Sequence, residues 1–273
     1  MIGIRAVNKR KKECMNKANS RVICITGASS GIGAALGEYY AKTGTTLVLL
    51  ARDIIELKSV SEKCRAKGAI VYEYLADVTD VVAMRKCAAD LLSRVEGVDI
   101  VIANAGIRGE EDADCQDTQI AEEIMRVNYF GVINTFSPFI RPMKARGHGQ
   151  LAVISSIASF RGTPNSGAYS ASKAAVNVWT ESLRLRIIQH GIGLTTICMG
   201  FVNTAMTADL PFWLPGILSA EQAAALIAKS IEKKRRAVTL PWQSRFIWSL
   251  FRIMPGSLYD MLIIWAKVHG PKR

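Results

Sequence analysis

Short apolar runs alternate with longer amphipathic segments along this chain. The runs are rich in branched residues, as is typical of buried strands; they lie at 22–26, 46–50, 70–75, 98–103, 150–155 and 194–199. The segments between them have helical spacing of apolar residues and lie near 32–43, 54–67, 80–95, 118–145 and 168–190. Strict alternation of strand and helix predicts a parallel sheet that helices cover on both faces.

The pattern changes toward the end of the chain. RAVTL at 236–240 predicts a last strand, and two short apolar helical patterns separated by Pro255 and Gly256 follow it. The chain therefore divides into a basic N-terminal tail over 1–20, one α/β domain over 21–240 and an amphipathic helical C-terminal extension over 241–273.

The two ends of the chain are basic, whereas its body is nearly neutral. The net charge is +12. Residues 1–21 contain seven Lys and Arg against one acid, residues 229–273 contain ten against two, and residues 22–228 contain 18 against 20. A neutral body argues against a nucleic-acid groove, and the basic ends suit an anionic surface. For the first end, a solvated tail is the simpler interpretation.

The sequence also argues against a membrane span, a secretory signal and a metal site. No apolar run is long enough for a transmembrane helix, and the N-terminus lacks the apolar block of a secretory signal. We therefore expect a cytoplasmic protein. The six cysteines include no CxxC pair and the three histidines are far apart, so we expect no metal.

A glycine-rich turn, ITGASSGIG, follows the first predicted strand directly. Glycine allows positive φ angles and close backbone approach, and the helix beyond the turn offers unpaired N–H groups to a pyrophosphate. A turn of this kind after the first strand of an alternating chain predicts a dinucleotide site. The residues assigned to it are Gly27, Ser29, Ser30, Gly31, Ile32 and Gly33.

The end of the second predicted strand bears on the choice between NADP and NAD. In NAD-preferring sheets an acid at this position bonds the ribose hydroxyls. Here the position is Ala51, followed by Arg52, and a cation suits a 2′-phosphate. NADP is therefore favoured over NAD. Arg52 as a plain surface residue is the alternative, and Asp53 is better suited to cap the next helix.

Six motifs, in order along residues 22–204, resemble those of the short-chain dehydrogenase/reductase family. They are TGASSGIG, ADVTD around Asp77, ANAG at 103–106, Asn128 in VNYFG, Ser156 in ISSIAS and YSASK. The resemblance implies a doubly wound parallel sheet, the Rossmann fold, of about seven strands, with a nicotinamide dinucleotide cofactor. It also implies adenine contacts by Asp77 and Val78, a cofactor floor at Asn104, Ala105 and Gly106, and a water held by Asn128.

Tyr169 and Lys173 lie four residues apart, so they share one face of a helix. A free phenol titrates near pH 10, and a neighbouring ammonium together with an oxidised nicotinamide would lower its pKa. Tyr169 is then the predicted general acid and base, and Lys173 is suited to hold the ribose. Ser156 would donate a hydrogen bond to the substrate oxygen.

The loop after the sixth strand departs from the family pattern. Met199 stands where the family usually has proline, whereas Gly200 and Thr204 remain. We expect Gly200, Val202 and Thr204 to contact the cofactor, in a loop that is less rigid than usual. The apolar stretch 209–218, with Trp213, takes the place of the substrate lid and suits a hydrophobic substrate.

The sequence thus predicts an NADP-dependent reductase or alcohol dehydrogenase of a hydrophobic ketone or secondary alcohol, lipid-like or steroid-like. A silent dinucleotide-binding scaffold and a membrane-docked adaptor are the alternatives. The apolar extension 241–273, with its tryptophans and flanking cations, resembles an interfacial anchor, and packing on the body or on a partner subunit is equally compatible. Family analogy predicts a homodimer or homotetramer built on helices 118–145 and 168–190.

Overall fold

The structure, a computed structural model, describes residues 21–110, 118–164, 166–207, 217–244, 250 and 253–269, with side chains to residue 265. The predicted tail 1–20, most of the predicted lid including Trp213, and part of the C-terminal extension lie outside these residues. The strands are β1 (Arg21–Thr26), β2 (Thr45–Ala51), β3 (Ile70–Leu75), β4 (Ile100–Ala103), β5 (Gly149–Ser156), β6 (Ile192–Met199) and β7 (Ala237–Leu240). The α-helices are α1 (Gly31–Tyr40), α2 (Ile54–Ala66), α3 (Val81–Arg94), α4 (Thr118–Met125), α5 (Gly131–Arg146), α6 (Gly167–Ile187), α7 (Ala220–Glu232) and α8 (Gly256–His269).

The seven strands form one parallel sheet in the order β3-β2-β1-β4-β5-β6-β7. The chain runs outward from β1 to β3 and then returns to the other side of β1, where Ile23 pairs with Ile100 of β4. Ligands of such sheets bind where the strand order reverses, beyond the carboxyl ends of the strands. The fold predicted from the apolar pattern is confirmed, including its seventh strand.

Alternate residues of the inner strands belong to two separate cores, one on each face of the sheet. Ile23 and Ile25 of β1 pack in the core that also contains Leu36 of α1 and Ile227 of α7. Cys24 packs in the opposite core with side chains of α3, α5 and α6. Because both faces are covered, the strands are continuously apolar, which is why they were visible in the sequence.

Helix α7 was missed by the sequence analysis. A capping box begins it: the Ser219 hydroxyl accepts from the Gln222 amide at 3.2 Å, and the Gln222 side chain accepts from the Ser219 amide at 3.0 Å. Ser-x-x-Gln before an alanine-rich run is the signal that would have identified this helix.

The single helix predicted over 118–145 is wrong in its middle. A π-helical segment over Arg126–Phe130 separates α4 from α5. The wider turn inserts one residue and shifts the side chains that follow it, and such segments occur often at functional sites. Asn128 lies in this segment and is fully buried.

The C-terminal extension contains α8, the predicted C-terminal helix. Several of its apolar side chains are exposed, namely Leu258, Met261, Ile264 and Trp265. Packing on the body therefore does not cover this face of the helix. Within the described ranges, no helix is both long and apolar enough to cross a membrane. The proposed boundaries at residues 20 and 240 stay predictions.

Candidate active site

A cavity of about 440 Å³ opens at the carboxyl ends of the strands, around the β1–β4 switch point. It brings together residues that are far apart in the sequence. The predicted site residues that line it are Gly27, Ser29, Ser30, Gly31, Ile32, Arg52, Asp77, Val78, Asn104, Ala105, Gly106, Ser156, Tyr169, Lys173, Gly200, Val202 and Thr204. Gly33 and Asn128 do not line the cavity and lie behind its wall.

The glycine turn has the geometry that a phosphate site needs. Gly27 and Gly31 have φ angles of 64° and 52°, which residues with a Cβ rarely adopt. A Cβ on Gly33 would lie 2.0 Å from the Gly27 carbonyl oxygen, so any larger residue would displace the turn. Ser30 precedes α1 without capping it through its side chain, which leaves the positive end of the helix facing the cavity.

Asn104 connects the glycine turn to β4. Its side-chain amide donates to the carbonyl oxygens of Thr26 at 3.0 Å and Gly27 at 3.1 Å. The Thr26 hydroxyl in turn accepts a hydrogen bond from the backbone amide of Asn104 at 3.2 Å. Asn104 therefore shapes the cavity floor by holding the turn rather than by presenting its amide donors to a ligand.

The end of β2 presents a cation to the cavity. The Arg52 side chain is 61% exposed, and its Nη1 atom lies 3.6 Å from a carboxylate oxygen of Asp77. Partial burial raises the pKa of Asp77, but hydrogen bonds from Thr79 and the Arg52 guanidinium outweigh it, so the net pKa lies below its usual value. Asp53 accepts from the amides of Ile55 and Glu56 at 2.9 Å, which is the predicted cap of α2.

Ser156, Tyr169 and Lys173 converge on one wall of the cavity. Ser156 ends β5, and its side chain hydrogen-bonds the Tyr169 side chain of α6. The Lys173 ammonium donates to the Ile154 carbonyl oxygen at 3.0 Å and lies 5.8 Å from the centre of the Tyr169 ring. One helical turn therefore places the phenol and the ammonium beside the serine, as their spacing predicted.

In the protein alone, the pKa of the Tyr169 phenol lies above its usual value. Burial raises it, and this effect exceeds the lowering by the Ser156 hydrogen bond and by Arg108. Lys173 is only 5% exposed, and burial lowers its pKa from 10.5 to about 8. The lowering expected from the ammonium together with an oxidised nicotinamide stays a prediction, and desolvation of both groups acts against it.

Asn128 holds the wall behind Lys173. Its side-chain amide donates to the Ile107 carbonyl oxygen at 2.9 Å and to the Ser172 hydroxyl at 3.0 Å, and its Oδ1 atom accepts from the Ile107 amide at 2.8 Å. Both amide donors are therefore used within the protein. A Cβ on Gly106 would lie 3.1 Å from Asn128 Oδ1 and 3.4 Å from Lys173 Nζ, so these groups meet behind the cavity.

The loop after β6 is held in place although Met199 replaces the family's proline. The Gly200 amide donates to the Leu240 carbonyl oxygen at 2.6 Å, and Val202 forms a β-bridge with Leu218. The Thr204 methyl group lies 3.3 Å from the position of a Cβ on Gly31. These contacts bring the loop against the glycine turn, and its expected lower rigidity stays a prediction.

Several lining residues were not among the predicted site residues. They are Leu50, Glu56, Ala76, Ile107, Val127, Ile154, Ser155, Ala205, Met206 and Thr207. Most contribute backbone or apolar surface, which carries no chemical signature in a sequence. Their positions next to predicted site residues, as for Ile107 after Gly106, are the signal that could have found them. In the part of the chain that the structure describes, no cluster of three or more potential metal ligands occurs.

Comparison with known proteins identifies the family. A model of the short chain dehydrogenase family matches residues 21–214. An uncharacterized oxidoreductase of Myxococcus xanthus is 32% identical over 90% of this chain and 97% of its own length. A fatty acyl-CoA reductase of Acinetobacter baylyi is 32% identical, and the match covers 84% of this chain and 79% of the relative. The 11-beta-hydroxysteroid dehydrogenase A of Sesamum indicum is also 32% identical, and the match covers 85% of this chain and 72% of the relative.

Solved structures share both the fold and the cofactor class. A short-chain dehydrogenase/reductase of Burkholderia phymatum in complex with NAD is 25% identical and covers 86% of this chain and 93% of its own, with a TM-score of 0.78. An alcohol dehydrogenase of Thermococcus sibiricus complexed with 5-hydroxy-NADP is 26% identical, covers 81% and 96%, and has a TM-score of 0.73. The chain is therefore an NAD(P)-dependent oxidoreductase of small molecules that belongs to the short-chain dehydrogenase family.

Proposed function

We propose that this protein is an NADP-dependent reductase or alcohol dehydrogenase that interconverts a hydrophobic ketone and its secondary alcohol. The observation that carries the proposal is the convergence of Ser156, Tyr169 and Lys173 on one wall of a cavity that begins at a glycine turn. The close approach of Gly33 to Gly27 and the open end of α1 fit a dinucleotide pyrophosphate.

The protein's own groups handle the proton and the oxygen. When bound, the dinucleotide supplies or accepts the hydride. Tyr169 donates a proton to the carbonyl oxygen in reduction and takes it back in oxidation. Ser156 donates a hydrogen bond to the same oxygen. Lys173 would hold the ribose hydroxyls, and Asn128 acts as a positioning residue behind it; the water assigned to Asn128 stays a prediction.

The preference for NADP is supported by the charges at the end of β2. Arg52 is the cation in reach of a 2′-phosphate, and one oxygen of Asp53 is engaged by two helix amides. Asp53, Glu56 and Asp77 also line this cavity, and their carboxylates would oppose a phosphate.

An apolar, lipid-like or steroid-like substrate is supported by the lining and by the relatives. Ile107, Met199 and Met206 give the cavity apolar wall. Two relatives bear the names of a fatty acyl-CoA reductase and a hydroxysteroid dehydrogenase. Both names point to bulky apolar substrates.

Tyr169→Phe tests the assigned proton donor. We expect turnover of a panel of apolar ketones, such as a long-chain 2-alkanone and a 3-ketosteroid, to fall about 10²- to 10⁴-fold. The affinity for NADPH, measured by nicotinamide fluorescence, should stay within about two-fold. Tyr39→Phe, at an exposed position of α1, is the matched control. Undiminished turnover in Tyr169→Phe would refute the assignment, whereas NADPH binding without turnover by the unmodified protein would favour the scaffold alternative.

A homodimer or homotetramer is supported by apolar side chains on the two long helices. Val178 and Leu185 of α6 and Phe130 before α5 are exposed. A groove of about 410 Å³ between α5 and α6 has Ile133, Ile140 and Trp179 among its lining residues. A second copy of the chain would cover such a surface.

Peripheral contact of a cytoplasmic protein with a membrane surface is supported by the extension. Met261, Ile264 and Trp265 form an exposed apolar face on α8, and residues 241–273 contain five Lys and Arg against one acid. An apolar face flanked by cations suits an anionic interface. Burial of the same face against a second copy is the competing proposal.

A further inference from the structure

The C-terminal extension contacts the segment that joins the two proposed catalytic positions. This connecting segment, residues 157–164, leads from Ser156 at the end of β5 toward α6, which carries Tyr169. The Tyr259 hydroxyl of α8 donates to the Gly162 carbonyl oxygen at 2.6 Å. The Arg161 guanidinium donates to the Met254 carbonyl oxygen and lies 5.0 Å from the centre of the Tyr259 ring.

These contacts are concentrated at one point of the helix. Of the α8 side chains that the structure describes, Tyr259 alone is buried, at 8% exposure, whereas Met261 is 59% exposed. Arg161 approaches the ring at a distance where a cation is attracted to an aromatic face. The Tyr259–Gly162 and Arg161–Met254 hydrogen bonds, together with this ring contact, therefore fix the start of α8 and Met254 just before it to the connecting segment.

The inner side of the same segment is bonded to α6. The Asn177 side chain donates to the Ser159 hydroxyl at 2.7 Å, and Ser159 donates to the Ser156 carbonyl oxygen at 2.6 Å. The backbone that orients Ser156 is thus continuous, through hydrogen bonds, with the segment that Tyr259 contacts on its outer side. A displacement of Gly162 would be transmitted to Ser156 over a few residues.

We propose that Tyr259 and Arg161 form a latch through which the C-terminal extension positions Ser156 relative to Tyr169. Tyr259 is then a positioning residue for the reaction, and it lies outside residues 21–214 that match the family. The proposal rests on the roles proposed above for Ser156 and Tyr169. It extends the working site to a residue that is not among the described residues lining the cavity.

Hydrogen–deuterium exchange of the full-length chain tests the latch without any substrate. Tyr259→Phe keeps the ring and removes one neutral hydrogen bond, so exchange in residues 157–164 should rise about five-fold. Tyr259→Ala should raise it by about ten-fold or more, because the ring contact with Arg161 is lost as well. Met261→Ala, on the exposed side of the same helix, is the control and should change nothing there.

Kinetics then test the positioning role. For a ketone that the unmodified protein reduces, kcat should fall in both Tyr259 variants in the same order as their exchange rises. The NADPH affinity should stay within about two-fold, because Tyr259 is not among the described residues that line the cavity at the glycine turn. Arg161→Ala combined with Tyr259→Ala should lower kcat by less than the product of the two single effects, because both single changes remove the same ring contact while each also removes a hydrogen bond of its own.

Each outcome decides the proposal. Unchanged exchange in Tyr259→Ala would overturn the latch. Raised exchange with unchanged kcat would overturn the positioning role, and so would a fall in kcat that is matched by an equal loss of NADPH affinity. If the unmodified protein reduces no ketone, the proposed function fails, while the exchange measurement still decides whether the latch exists.

Discussion

Lys173 should make the protein less stable at neutral pH than an uncharged residue would. Its burial lowers the pKa from 10.5 to about 8, which corresponds to roughly 3 kcal/mol. Lys173→Met retains the length of the side chain without the charge. It also loses the hydrogen bond to Ile154, worth about 1 kcal/mol. The variant should therefore be about 2 kcal/mol more stable at pH 7, although turnover is lost.

The stability gained in Lys173→Met should decrease as the pH rises. A lysine whose pKa is lowered by folding destabilises the protein fully below pH 8, because the unfolded chain holds the proton more tightly. The penalty is relieved as pH rises from 8 toward 10.5. The advantage of Lys173→Met should thus shrink above pH 8 and reverse near pH 10.

Urea unfolding at pH 7, 8, 9 and 10, at one protein concentration, measures this difference. Groups that do not interact with Lys173 titrate equally in both proteins and cancel in the comparison, whereas the Cys198 thiol, whose pKa burial raises and the Lys173 charge lowers, does not cancel. Lys58→Met, at an exposed position of α2, is the control and should differ little from the unmodified protein at every pH. A variant that is less stable at pH 7, or a difference that does not vary with pH, would refute the reasoning.

Two further outcomes follow from the charges and exposed faces. Arg52→Ala should weaken NADPH binding about ten-fold, as expected for one partly exposed charge-assisted hydrogen bond, and leave NADH binding unchanged. Glu56→Gln, at the same end of the cavity, should strengthen NADPH binding slightly. If Arg52→Ala weakens NADPH binding and NADH binding equally, the assignment of Arg52 to the 2′-phosphate is contradicted. Vesicles that contain anionic lipid should sediment the full chain but not a chain ending at residue 240. Equal sedimentation of the two forms would exclude anchoring by the extension. If neither form sediments and the full chain is a dimer that truncation converts to a monomer, the apolar face is assigned to contact with a second copy.

Most of the fold was predictable because both faces of the sheet are covered. A strand such as 150–155 has four consecutive buried apolar residues at 151–154, and this leaves a signal that a partly exposed strand would not leave. Helix α7 was missed because alanine is compatible with many environments, although Ser219 and Gln222 marked its start. The π-helical segment could not be predicted, since one inserted residue changes neither composition nor apolar spacing appreciably.

Candidate site residues were predictable where the site requires one particular residue type. They were not predictable where any apolar residue at that position would serve. Position 33 requires glycine because the Gly27 backbone leaves no space for a Cβ. The proposed proton transfer requires the phenol of Tyr169 and the ammonium of Lys173. Val127 and Ile154 line the cavity through shape, which other apolar residues would also provide. The latch at Tyr259 was invisible because it joins residues 97 positions apart whose types carry no special chemistry.

Burial shifts the pKa values of Tyr169 and Lys173 in opposite directions. It raises the pKa of the phenol and lowers that of the ammonium to about 8. At pH 7 the phenol of the protein alone therefore keeps its proton, and in the proposed reduction it can donate that proton to a carbonyl oxygen. Donation leaves a phenolate, and the proposed oxidation starts from the same phenolate. Because burial disfavours this charge, both directions of the proposed reaction depend on the positive charge that an oxidised nicotinamide would bring beside Tyr169.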